Sequence, residues 1–265
     1  MTNKFSIKNR KGLKIVGKIL KPENPIGLSF VMHGLGGYKE ELHIDLMANT
    51  LFENNYFTIN FDATNSKGES EGKYEDATMQ IHYEDLVDVI NWAKTQTWYI
   101  EPFILTGHSM GGYTVARYAE EFPNEVKGVF PFGAVFSGKD CFETYKKLRT
   151  EELNDWKEKG WTYRTSKSKP EFEMKLPWSH MEERLKHDLK PMADKITMPI
   201  LFVAGENDTS CPPSDQKKFY DLLPINTLKE FHIVKGVGHV FRESQHLNEL
   251  KEIFNNWVKY IIIII

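Results

Sequence analysis

The chain has only two cysteines, Cys141 and Cys211, in 265 residues. That is too few for a disulfide-stapled scaffold, and such usage fits a reducing compartment. It also lacks an excess of either charge, with 34 basic residues against 37 acidic ones and a formal net charge of -3. There is then no overall field to hold nucleic acid or an anionic membrane, and neither is expected as a partner. No stretch approaches the roughly 20 apolar residues that span a bilayer, and Met1 to Lys8 lacks the apolar core of a signal peptide. A cytoplasmic protein is the expectation. Internal repeats are missing as well. The histidines and cysteines do not fall at zinc-site spacing, and Gly34, Gly36 and Gly37 do not make a phosphate-binding loop, so no metal and no organic cofactor is expected. The run Ile261 to Ile265 is low in complexity and far too short for an anchor; it is read as an extraneous tail.

What is present is an ordinary globular composition, 40% hydrophobic and 27% charged, laid out as strands alternating with helices. Alternation on both sides of Arg10-Lys11-Gly12 predicts an opening hairpin over Phe5 to Leu20. Strands are predicted at Gly27 to His33, Phe57 to Asp62, Pro102 to Thr106, Val126 to Val135, Pro199 to Ala204 and Leu228 to Val234. Helices fit about Lys39 to Asn54, Ala77 to Lys94, Tyr113 to Glu121, Pro213 to Leu223 and Gln245 to Tyr260. This order predicts a mostly parallel sheet covered on both faces, with the loops after the strands gathered on one edge. His33, Asp62, Ser109 and Asp208 fall at or just beyond such strand ends. The interval 137–192 breaks the alternation and is dense in aromatics, including Phe142, Tyr145, Trp156, Trp161, Tyr163, Phe172 and Trp178. It is read as a lid inserted into a core formed by 1–136 and 193–260.

The most informative stretch is Gly107-His108-Ser109-Met110-Gly111, a serine framed by glycines between a strand and a helix. So tight a turn needs glycine on either side, and it presents the serine oxygen at the strand tip. A serine hydroxyl is a poor nucleophile near neutral pH and needs a base to take its proton. Among nine histidines, His239 in Gly236-Val237-Gly238-His239, and His33 and His108 beside the serine, are open as that base. An acid must hold the imidazole in the useful tautomer. Asp208 in Gly205-Glu206-Asn207-Asp208, Glu206 and Asp215 are open as that acid. Cys211 is read as a buried thiol, not a nucleophile.

In their chain order of serine, acid, histidine, these three signatures resemble the α/β-hydrolase family over nearly the whole chain. The resemblance implies an α/β-hydrolase fold with Ser109, Asp208 and His239 as catalytic triad. His33-Gly34-Leu35-Gly36-Gly37 resembles the family's oxyanion loop, which implies donors from the Leu35 and Met110 backbone N–H groups. Asp62 opens a segment, through Gly68 and Gly72, that resembles the family's aspartate- and glycine-rich loop but departs from it at Asn65 and Ser66; a structural role is expected for it. The segment Gly68 to Glu75 and the compact lid are most similar to the small bacterial cinnamoyl or feruloyl esterases and the monoacylglycerol-lipase and serine-aminopeptidase-like hydrolases. The implied function is a serine carboxylic-ester hydrolase acting through an acyl-enzyme on a small ester, with an aromatic or short-to-medium acyl group. Candidate substrate contacts are His33, Gly34, His108, Asp140, Tyr145, Trp161 and Trp178. A peptidase or thioesterase with the same triad, or a noncatalytic ligand-binding member of the fold, remains open, and a monomer or weak homo-oligomer is expected.

Overall fold

The computed structural model describes residues 2–166 and 168–264. An antiparallel hairpin opens the chain, β1 (Thr2–Lys8) against β2 (Lys14–Leu20). Asn9 shapes its turn by accepting the N–H groups of Lys11 and Leu13 on Oδ1, the local bonding that suits asparagine to turns. There follow β3 (Gly27–Met32), α1 (Leu42–Glu53), β4 (Tyr56–Asp62), α2 (Met79–Lys94), β5 (Phe103–His108), α3 (Met110–Glu121) and β6 (Val126–Phe132). Next come α4 (Gly138–Leu148), α5 (Thr150–Lys159), a separate hairpin of β7 (Trp161–Thr165) and β8 (Glu173–Pro177), and the short α6 (Ser179–Arg184). The chain then returns to the main sheet with β9 (Ile200–Gly205), α7 (Pro213–Leu222), β10 (Lys229–Val234) and α8 (Ser244–Ile264).

The eight-stranded sheet runs β1-β2-β4-β3-β5-β6-β9-β10. Its first two pairings are antiparallel, and all those from β4 onward are parallel. Side chains alternate across it as the pleat requires. Val31 and Ile104 pack on one face with Ile44, Met47 and Leu51 of α1 and Leu250, Phe254 and Trp257 of α8. Phe30, Met32 and Leu105 pack on the other with Leu86 and Val89 of α2, Val115 of α3 and Phe219 of α7. Strands buried on both faces must be apolar throughout, which is why β3, β5 and β9 read as nearly continuous apolar runs.

Several boundaries differ from expectation, among them the opening strand, which begins at Thr2 and not Phe5, and α3, which begins at Met110 and not Tyr113. The helix expected from about Lys39 begins at Leu42, because the Lys39 N–H is drawn 2.7 Å onto the Asp62 carboxylate. β6 ends at Phe132 rather than Val135, where Gly133 at φ +52° turns the chain. The tail reading of 261–265 is corrected at its start: α8 runs through Ile264, and Ile261 is fully buried beside Gly128 of β6. Ile265 lies outside the described residues.

Candidate active site

Ser109 sits where β5 ends and α3 begins, at φ 55° and ψ -115°. A non-glycine residue in that region carries of order 1–3 kcal/mol of strain, held by what surrounds it. Here the Ser109 N–H donates to Phe132 O at 2.9 Å, and its carbonyl accepts the Tyr113 N–H at 3.1 Å. The flanking glycines are forced by contact. A Cβ on Gly107 would lie 2.4 Å from Gly111 O, and one on Gly111 would lie 2.5 Å from His33 O. Only bare backbone lets α3 approach the end of β3 this closely.

The loop after β10 brings His239 to the serine, with Nε2 2.9 Å from Ser109 Oγ. On its other side Nδ1 lies 2.8 Å from Asp208 Oδ2. The carboxylate can only accept, so Nδ1 carries the proton and Nε2 is left to accept from the serine hydroxyl. Asp208 is 3% exposed, and its Oδ1 accepts the N–H groups of Ser210 at 2.7 Å and Cys211 at 2.9 Å. Burial opposes its ionisation, but the His239 imidazole and these two N–H groups outweigh it and hold the carboxyl below its ordinary range. The alternative acids are engaged elsewhere: Glu206 accepts the Gly236 N–H, and Asp215 is bonded by Thr144 and Lys218. Cys211 and Cys141 are free and buried, and burial pushes the Cys211 thiol well up, so it stays protonated.

The loop after β3 packs on the serine, and a Cβ on Gly34 would lie 3.0 Å from Ser109 Cβ. Its turn closes through Gly37 N–H to Gly34 O at 2.9 Å. Met110 is the first residue of α3, so its N–H has no acceptor within the helix and lies at the positive end of the helix dipole. His33 is corrected as a substrate contact. It is fully buried, donates from Nδ1 to Gly34 O at 2.8 Å and accepts the Ala63 N–H on Nε2 at 2.9 Å, so it braces the loop. Asp62, also fully buried, accepts from Lys39 N, Lys39 Nζ at 2.8 Å and Glu69 N at 2.9 Å. With its oxygens occupied in this way it ties the loops after β3 and β4 together.

A cleft of about 320 Å³ opens over the serine. Gly34, Leu35, His108, Ser109 and His239 form its floor, and Arg149, Arg164, Met174 and Arg242 are among its walls. Asp140, Tyr145, Trp161 and Trp178, expected as contacts, do not line it. Asp140 is paired with Lys190 at 2.9 Å and Lys218 at 3.4 Å. Tyr145 is buried beneath Arg149, Trp161 is covered by Lys175, and Trp178 stands edge-on to Trp156. Tyr145 and Trp156 are buried in the cluster that continues from the main core, and Trp178 packs against it. The walls missed from sequence, Lys67, Arg149, Arg164, Met174 and Arg242, come from separate segments, and no local motif marks them. Among the described residues no cluster of histidine, cysteine, aspartate or glutamate is arranged to hold a metal ion. Nor is any helix there long and apolar enough to cross a membrane.

Comparison with known proteins agrees with this architecture. Est1E from Butyrivibrio proteoclasticus, solved with ferulic acid bound, superposes with a TM-score of 0.78 at 22% identity, over 97% of this chain and 99% of its own. A putative hydrolase from Agrobacterium vitis S4 superposes with a TM-score of 0.78 at 18% identity, over 99% of both chains. These likenesses show the α/β-hydrolase fold. An uncharacterised 31.7 kDa protein from the traX-finO intergenic region of Escherichia coli is 25% identical over 260 residues, spanning 88% of this chain and 90% of its own length. Residues 44–262 match the prolyl oligopeptidase family; the chain belongs to that family, within the α/β-hydrolase superfamily.

Proposed function

We propose that the protein is a serine carboxylic-ester hydrolase working through an acyl-enzyme. One observation carries the reading: the unbroken bonding from Ser109 Oγ through His239 to Asp208, at 2.9 and 2.8 Å. Ser109 attacks the ester carbonyl while His239 Nε2 takes its proton. The charge that develops on the carbonyl oxygen is met by the Leu35 and Met110 N–H groups, worth about 3 kcal/mol each in such sites. The protonated imidazole then passes its proton to the leaving alcohol, and the acyl group stays on Ser109. Water, deprotonated by His239, releases the acid in the second half. Asp208 stays ionised and steadies the imidazolium. The insertion 137–192 acts as the lid, since Arg149, Arg164 and Met174 bring it to the cleft wall.

The cleft suits a short or medium acyl group. A preference for hydroxycinnamoyl esters has lost its basis in Tyr145, Trp161 and Trp178, which do not line it. The test is hydrolysis of 4-nitrophenyl acetate, 4-nitrophenyl butyrate and methyl ferulate by the wild type and Ser109→Ala. Turnover that vanishes in the variant upholds the reading, and a folded wild type inert on all three esters overturns it. The family match favours one second reading, a peptidase, because the same groups cleave amides. Peptidyl 4-nitroanilides cleaved with higher kcat/KM than the esters would replace the first reading with the second.

A further inference from the structure

We infer that the substrate carries a carboxylate or phosphate group, held by the cleft-facing edges of Arg149, Arg164 and Arg242; this rests on the hydrolase reading above. The chain as a whole is slightly acidic, at -3, yet its cleft wall holds four cations, Lys67, Arg149, Arg164 and Arg242, against the single carboxylate of Glu41. Lys67 is already committed, at 3.2 Å from Glu41 and 3.1 Å from the Ser166 and Ser168 hydroxyls. The three arginines are not equally committed.

Arg149 and Arg164 share one carboxylate, Glu152, which leaves a positive charge over. Both also bond the buried Tyr145 hydroxyl, at 3.3 and 3.4 Å, and Arg149 is anchored to Thr209 and Ser210 on the Asp208 loop, each at 3.0 Å. The pair is thus fixed in place, with one of its anchors, Ser210, also on the cleft wall. Both hydrogen bonds of Arg164 run through Nη2, so among the described residues its Nε and Nη1 carry no hydrogen bond, and each can donate singly to an oxyanion. Arg242 follows His239 by three residues, is exposed, and has no hydrogen bond or ion pair among the described residues. It lines both the catalytic cleft and a neighbouring cavity of about 270 Å³ bounded by Tyr38, His43 and Phe241. Positive groups inside a concave wall raise the local concentration of anions and quicken their capture.

The experiment compares charged and neutral esters of matched shape: monomethyl adipate against methyl hexanoate for an acyl-side carboxylate, and 2-acetoxyethyl phosphate against butyl acetate for an alcohol-side phosphate. At least one charged ester is expected to exceed its neutral partner by about 10- to 100-fold in kcat/KM at low salt. The ratio should shrink in 0.5 M salt, roughly the range where screening closes to a few ångströms. It should also fall about tenfold in Arg164→Gln and in Arg242→Gln, and further in Arg242→Glu. Arg242 has no partner to lose, so that variant keeps the test sound if Arg164→Gln folds poorly. Equal rates on charged and neutral esters, with 4-nitrophenyl acetate turnover still lost in Ser109→Ala, would overturn the anion site and leave the hydrolase reading standing. If no ester is turned over, titration calorimetry of monomethyl adipate and 2-acetoxyethyl phosphate into Ser109→Ala decides. Binding weakened by the arginine substitutions supports the site, and no binding overturns it.

Discussion

His108 donates from Nε2 to the backbone carbonyl of His239, 2.9 Å away. The residue just before Ser109 thereby holds the loop that carries His239, the proposed base. Burial, first of all, and then the nearby His43 and His239 rings keep His108 well below the ordinary histidine range, so it stays a neutral donor. His108→Ala removes the tie, and misplacement of a reacting group by about 1 Å costs on the order of 100-fold. The expected result is a fall in kcat of that order with KM little changed, and partial rescue by His108→Gln, whose amide can still donate. A drop in KM-dependent affinity with kcat intact would show that His108 contacts substrate instead.

Asp208→Asn keeps the shape of the acid but leaves an amide where Nδ1–H needs an acceptor, so the imidazole turns to the wrong tautomer. Turnover is expected to drop about 10⁴-fold while far-ultraviolet dichroism stays native. Activity within tenfold of wild type would move the role to another carboxylate.

The central strands were readable because strands buried on both faces must be apolar, and the meeting of Ser109, Asp208 and His239 in space was readable because each lies in a short motif at a strand end. The cleft walls were not readable. Arg149, Arg164 and Arg242 lie on three separate segments, and an arginine in a sequence reads as solvated surface unless the fold says otherwise. The aromatics of 137–192 misled for a related reason. Trp156 and Tyr145 join the main hydrophobic core, with Trp178 packed against it, a demand that composition cannot tell from lining a substrate pocket. His33 looked like a site residue from its place in the motif, and only its two occupied ring nitrogens show that it serves the loop.

Asp62 and Lys39 form a buried ion pair, with side-chain exposures of 0% and 3%. Burial works against the Lys39 charge, but hydrogen bonds to Asp62 and Glu69 outweigh it and raise the pKa of the ammonium. Lys39 also reaches Glu40 at 2.9 Å and Glu69 at 2.7 Å, so losing the Asp62 charge weakens its pairing without stranding it, at about 1–3 kcal/mol for the buried bonds disturbed. Asp62→Asn should therefore lower the urea midpoint while the folded fraction retains its kcat. A large loss of kcat with stability unchanged would place Asp62 in the chemistry.

Four histidines make the fold sensitive to acid. Burial, the largest cause in each case, lowers His43, His82 and His180 to about 3 and takes His108 well below its ordinary value. His180 shows why: Nδ1 donates to Ala77 O at 2.7 Å while Nε2 accepts from Arg184 at 2.9 Å, so no site for a second proton remains. In the unfolded chain the same rings titrate near 6.5. Between about 6.5 and 3 the unfolded state therefore binds more protons, and stability that is complete above 6.5 is lost as the pH falls. Each ring contributes about 1.4 kcal/mol per pH unit in that window. Four together would exhaust a typical reserve of about 5–15 kcal/mol within one to three units. Buried Glu120, raised to about 9 by burial, works the other way and offsets about one ring, so the melting temperature is expected to fall below pH 6, less steeply in His180→Gln, whose amide can replace both hydrogen bonds. A melting temperature unchanged between pH 7 and 5 would mean that these rings are protonated in the folded protein, with their buried contacts rearranged to accept the charge.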